Sequence, residues 1–164
     1  LQLKVATAKD KSALAGAILA RLPNASPTLG RLSFSAPLIA CTKCHSVRAD
    51  IVKSGPLLSE IGTATQPQYL VESILEPSKI IKTGFLSERI ETRDDREFTD
   101  LVQADGDRLT VIVSANEKVA LHLSQVKQRV PSTVSFMPEG LERAMTESEL
   151  ADVVAYLVSL KAKP

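Results

Sequence analysis

Both cysteines of the 164-residue chain and one of its two histidines lie within five positions, in Cys41-Thr42-Lys43-Cys44-His45. A cysteine spacing of three places the two thiols about one helical turn apart, and the histidine follows at once. Four chemistries use such a motif. Structural zinc would need a second ligand pair, but no other cysteine exists and the remaining histidine is His122. A thioredoxin-like dithiol would sit between a strand and a helix, yet no strand pattern precedes Cys41. A plain disulfide leaves His45 without a part. The C-x-x-C-H string is the attachment signature of c-type haem, in which each thiol adds to a vinyl group of the porphyrin and the adjacent imidazole ligates the iron.

Composition agrees with a folded domain built around such a group. Apolar residues make up 44% and charged ones 24%, within the range of core-forming proteins. Aromatic residues are only 4%, with no tryptophan, so a flat cofactor would supply apolar bulk that the chain lacks. The formal net charge of +1 argues against a nucleic-acid binder, which needs a basic surface. No apolar run approaches the roughly 20 residues of a membrane helix. The chain begins at Leu1 without a signal-peptide pattern, and reads as a mature or excised piece.

The pattern is helical at both ends and extended in the middle. Thr7 and Asp10 form a capping-box pair ahead of a first helix with Leu14, Ala17, Ile18 and Leu22 on one face, ended by Pro23-Asn24. A second helix starts with Ser26 as N-cap and Pro27 at its first position, and Pro37 breaks it before Cys41. The stretch QPQYLVESILEP predicts a short helix stopped by Pro77. From Leu86 to Leu123 β-branched stretches are punctuated at Asp94-Asp95, Asp105-Gly106 and Asn116-Glu117, which predicts about four antiparallel strands. The capping box Thr146–Glu149 then opens a last helix with a stripe of Leu150, Val153, Val154, Leu157 and Leu160.

A haem iron has a second axial face. Met137 lies in the string SFMPEGL just before the last helix, where Pro138 and Gly140 favour a fixed extended loop. A thioether stabilises ferrous iron, so a His/Met pair raises the reduction potential relative to two histidines. Met145 abuts the helix cap and reads as packing, and His122 alternates with leucines as a strand residue.

The C-x-x-C-H motif, the Gly55-Pro56 loop, the Met137-Pro138 loop and the final ADVVAYLVSL helix together resemble the class I cytochromes c. The strings SGPLLSEIGTATQPQYLVESILEPSKIIKTGF and SFMPEGLERAMTESELADVVAYLVSL resemble more closely the haem-binding domains at the ends of large modular proteins of planctomycetes and related bacteria. Those domains also carry a β insertion with Asp-Gly turns. The resemblance spans roughly residues 30–160. It implies that Cys41 and Cys44 form thioethers, that His45 and Met137 are the axial ligands, and that the Pro56 carbonyl orients the His45 ring. It also implies that Gly30 and Phe34 face Tyr156 where two helices cross. Apolar position alone marks Tyr69, Leu70, Ile74, Ile80 and Phe136 as pocket walls.

The expected fold is therefore mainly α, with helices around one covalent haem c. A small antiparallel sheet at about 85–123 is inserted between the haem motif and the methionine loop, giving α+β overall. Residues 1–25 are expected as an N-terminal helical extension and 26–164 as the cytochrome domain. The resemblance implies one-electron transfer rather than catalysis, because iron held by two protein ligands has no open position for substrate. The donor would be a dehydrogenase-type redox partner, fused or co-assembled, and the acceptor another carrier. Alternatives are a haem sensor or small haem enzyme with a displaceable Met137, or an interaction module stabilised by haem. Covalent attachment is completed outside the bacterial cytoplasmic membrane, so a periplasmic or otherwise exported location is expected.

Overall fold

The computed structural model describes residues 8–51, 53–113 and 117–162. Among the described residues, five helices, a five-stranded antiparallel sheet and a sixth helix follow one another along the chain. The first five helices are α1 (Ala8–Arg21), α2 (Pro27–Ser35), the single turn α3 (Cys41–Cys44), α4 (Ile61–Ala64) and α5 (Pro67–Leu75). The strands β1 (Leu86–Thr92), β2 (Glu97–Asp105), β3 (Arg108–Ile112), β4 (Lys118–His122) and β5 (Val126–Ser135) follow, and α6 (Glu147–Ser159) returns to the helices. Among the described residues no helix is long and apolar enough to cross a membrane.

Local signals set the helix ends. The Ser26 hydroxyl accepts from the Leu29 amide at 3.3 Å, with Pro27 in the first turn, and α2 stops at Ser35 before Pro37. At α6 the capping box is complete, since the Thr146 hydroxyl accepts from the Glu149 amide and the Glu149 carboxylate accepts from the Thr146 amide at 2.8 Å. Thr7, the expected first cap, lies outside the described residues.

One hydrophobic cluster joins the helices. Leu150, Val153, Val154 and Leu157 of α6 pack with Leu70, Val71, Ile74 and Leu75 of α5 and with Phe34 of α2. Ile18 of α1 is fully buried in the same cluster, which ties the N-terminal helix into the domain. Gly30 permits the closest crossing: a Cβ there would lie 1.8 Å from the Asp152 carbonyl oxygen of α6. Phe34 and Tyr156 meet edge to face at that crossing, with ring centroids 5.6 Å apart. Gly62 does the same for α4, its amide donating to the Leu160 carbonyl at 2.8 Å.

The sheet runs in the order β4-β3-β2-β1-β5. Asp95 (φ 62°) and Gly106 (φ 58°) take left-handed conformations in the first two hairpin turns, at the Asp94-Asp95 and Asp105-Gly106 signals. Ile90, Leu109, Val111 and Leu121 form a separate buried row, flanked by Phe98, Val102, Val119 and Val126. The β4–β5 connection closes one end of this row. Leu123 donates to the Asp107 carbonyl at 2.8 Å, and the Arg93 amide donates to the Gln125 carbonyl at 2.8 Å.

Two expectations are corrected. The chain is not mainly α with a small inserted sheet; it is α+β, and its five-stranded sheet is a core element with a hydrophobic cluster of its own. The β region does not end near residue 123 but continues through β5 to Ser135. β5 is an edge strand, exposed along most of its length and carrying Pro131. It lacks the alternating apolar pattern that marks a half-buried strand, so only pairing with β1 reveals it.

Candidate cofactor-binding cleft

Helices and sheet enclose a cleft of about 420 Å³, within the usual size of small-molecule and cofactor sites. One wall is the C-x-x-C-H turn. Cys41 to Cys44 make a single helical turn, closed by the His45 amide donating to the Cys41 carbonyl at 2.9 Å. Ala40, just before it, is left-handed at φ 59°, a strained position for a residue with a Cβ. Cys41, Cys44 and His45 all line the cleft, and both thiols are free.

The loop after the turn is strapped back onto it. The Gly55 amide donates to the Cys44 carbonyl at 2.7 Å, and Leu58 donates to the Ser46 carbonyl at 2.8 Å. The Lys53 ammonium donates to the Thr42 carbonyl. His45 Nδ1 lies 2.9 Å from the Pro56 carbonyl oxygen, which can only accept, so Nδ1 carries the proton and Nε2 keeps its lone pair. Burial lowers the His45 pKa; the Pro56 bond opposes this, and the Lys53 charge adds to it. The ring is thus neutral at neutral pH, as a metal-ligating imidazole must be. Burial pushes the Cys41 thiol up to about 11, with its backbone bond lowering it and Cys44 raising it. That is opposite to the depressed thiol of a redox-active dithiol.

Met137 lines the same cleft from the loop after β5, half-buried against the helical cluster. Met145 packs on that cluster and is not in the cleft lining. Pro56, Tyr69, Leu70, Ile80 and Phe136 line the cleft, Ile80 at 57% exposure. Ile74 does not; it is turned into the core between α5 and α6, one position too far round the helix. His122 is not in the cleft lining: its ring bonds Asp107 (2.6 Å) of the β2–β3 turn and Ser124 (2.7 Å) of the β4–β5 connection, both exposed.

Several lining residues have no sequence signal. Leu101 of β2, fully buried, brings the sheet into the cleft wall, and Phe85 joins it. Ser54 lines the cleft with its hydroxyl buried and without a hydrogen-bond partner. Gly55 was legible as a loop glycine, but its reason is steric. A Cβ there would lie 2.8 Å from the Cys44 carbonyl oxygen and 3.0 Å from Cε1 of His45. The charged residues lining the cleft are Lys43 and Lys82, both cationic.

Among the described residues no group of three or more His, Cys, Asp or Glu side chains could hold a metal ion by itself. The donor set therefore does not suit structural zinc, which takes four such ligands. It suits a metal whose equatorial ligands come with a macrocycle, leaving one imidazole and one thioether for the protein. No protein-family model and no curated protein matches the chain.

Proposed function

We propose that the chain is a c-type cytochrome domain that carries one covalently bound haem and transfers single electrons. The observation that carries this reading is that the C-x-x-C-H turn and Met137 line one apolar cleft, with the His45 ring already oriented by the Pro56 carbonyl. Cys41 and Cys44 would hold the macrocycle through thioethers, and His45 Nε2 and Met137 Sδ would ligate its iron. When bound, the haem supplies a ferric–ferrous couple. The protein's part is to keep the imidazole neutral and fixed, to exclude water with Leu70, Phe136 and Leu101, and to offer cations at the mouth. Lys43 and Lys82, with no carboxylate among the described lining residues, suit a ligand that carries two carboxylates of its own.

With an imidazole and a thioether both holding the iron, the domain would act as a carrier and not as an enzyme. Its partners would be a dehydrogenase-type donor, fused or co-assembled, and a second redox carrier. Covalent haem attachment implies an exported location. Acid-acetone treatment of protein matured with the haem-attachment machinery tests the reading. Colour must stay with the polypeptide, and must be lost to the organic phase, or never acquired, in Cys41→Ser/Cys44→Ser. Colourless wild-type protein from such a host would sink the proposal.

A further inference from the structure

The sheet is joined to the Met137 loop by a chain of serine hydroxyls. Between Leu86 and Glu88, β1 advances by two residues while its β5 partners run from Ser135 to Pro131, an advance of four. The extra residues form a bulge opposite Ser87, of the kind that re-aims a strand beside a functional site. At this register shift a side chain bridges the two strands: the buried Ser87 hydroxyl donates to the Val134 carbonyl at 2.5 Å. One residue on, the Ser135 amide donates to the Ser78 hydroxyl at 3.1 Å, which ties the end of β5 to the segment after α5. The Ser135 hydroxyl in turn accepts from the Met137 amide at 3.1 Å.

These bonds lie at three different sequence separations, 47, 57 and 2 residues, and converge on the three residues before Met137. Met137 follows at once in the half-buried lining of the cleft. Ser87 pairs across the ladder with Leu101, the β2 residue in the cleft wall. β1 therefore joins the cleft-wall residue of β2 on one side to β5, the strand that leads to the methionine, on the other. A flexible thioether side chain on an untethered loop would dissociate readily; hydroxyl tethers reduce the backbone freedom lost each time it returns.

We infer that Ser135, with Ser78 and Ser87, is a positioning residue that keeps Met137 available as a ligand, and that the sheet serves this end. The inference rests on the proposed reading of Met137. The test uses haem-loaded protein and three readouts: the methionine–iron charge-transfer absorption of the ferric form, the midpoint potential, and carbon monoxide binding to the ferrous form. Loss of one such hydrogen bond is expected to raise the fraction of iron lacking Met137 roughly fivefold. Ser135→Ala and Ser78→Ala should weaken the absorption band, lower the potential and speed carbon monoxide binding. Ser135→Thr, which keeps the hydroxyl, should restore all three. Arg129→Ala, which breaks the two-pronged pair with Glu88 in the same β1–β5 ladder, should reduce thermal stability without moving the band. If Ser135→Ala and Ser78→Ala leave band and potential at wild-type values while Met137→Ala abolishes the band, the serine tether is refuted and the ligand reading stands. If Met137→Ala itself keeps the band, the ligand reading falls, and the tether's purpose with it.

Discussion

Gly55 lies against the His45 ring so closely that a methyl group at its Cα would stand 3.0 Å from Cε1 and 3.1 Å from Nδ1. The same methyl would be 2.8 Å from the Cys44 carbonyl oxygen, which is backbone and cannot swing away. Gly55 thus sets how near the loop can come, and so whether the Pro56 carbonyl reaches Nδ1. Gly55→Ala is expected to cost about 1–3 kcal/mol by overpacking and to rotate the ring off its acceptor. Thermal unfolding and haem content per polypeptide check both effects; an unchanged haem content would separate ring orientation from loading.

Two glycines should respond to alanine in opposite directions. Gly30 faces the Asp152 carbonyl at the α2–α6 crossing, where a Cβ would lie only 1.8 Å from the carbonyl oxygen, so Gly30→Ala must push the helices apart. A loss of about 3 kcal/mol or more follows, in the range reserved for disrupted cores. Gly16, inside α1, would place its methyl in open space and gain helix propensity. Gly16→Ala should stabilise by about 0.5–1 kcal/mol. Urea midpoints for the two variants must move apart.

Two carboxylates should give stability profiles of opposite slope with pH. Asp100 stands across from Glu88, and burial, reinforced by Glu117 and opposed by the Thr99 backbone, raises its pKa. A raised carboxyl pKa means that the ionised form costs stability above the folded value, a cost that fades as pH falls toward 3.8. Asp100→Asn should therefore be more stable at pH 7, by about 0.5 kcal/mol after solvent screening, and equal to wild type near pH 4. Glu149 is held low by the Thr146 amide and hydroxyl. Its contribution is present above 4.5 and lost as pH falls through the folded value, so Glu149→Gln should lose stability at neutral pH and flatten the acid limb. Denaturant titrations between pH 3 and 7 read both.

Lys82 is one of the two charged residues among the described lining of the cleft, and a cation there would favour the reduced state of the proposed haem iron. Lys82→Glu should lower the midpoint potential. The substitution changes the local charge by two, and at up to about 1 kcal/mol per exposed charge the shift for one electron is at most about 85 mV. The shift should shrink as ionic strength rises. Potentiometry at low and high salt checks it, and a potential that does not move, or that rises, contradicts the placement.

What could be read directly from the chain was whatever a few neighbouring residues decide among themselves. The Cys41–His45 turn, the Ser26 cap, the Thr146–Glu149 box and the left-handed turns at Asp95 and Gly106 all close within four residues. Their hydrogen bonds need no distant partner, so spacing and residue type suffice. The tertiary structure decided the rest. Ile74 belonged to an apolar helix face in the sequence, but only the position of α6 turned it into the core while Leu70 reached the cleft. β5, with Pro131 and exposed valines, is a strand because β1 pairs with it some 40 residues away, and its bulge exists only in that register. Leu101 and Ser54 came to line the cleft, and Ser78 and Ser87 came to bond the segment before Met137, in the same way. Long-range pairing and packing have no local signature, because the groups that satisfy each other there meet only after the chain has folded.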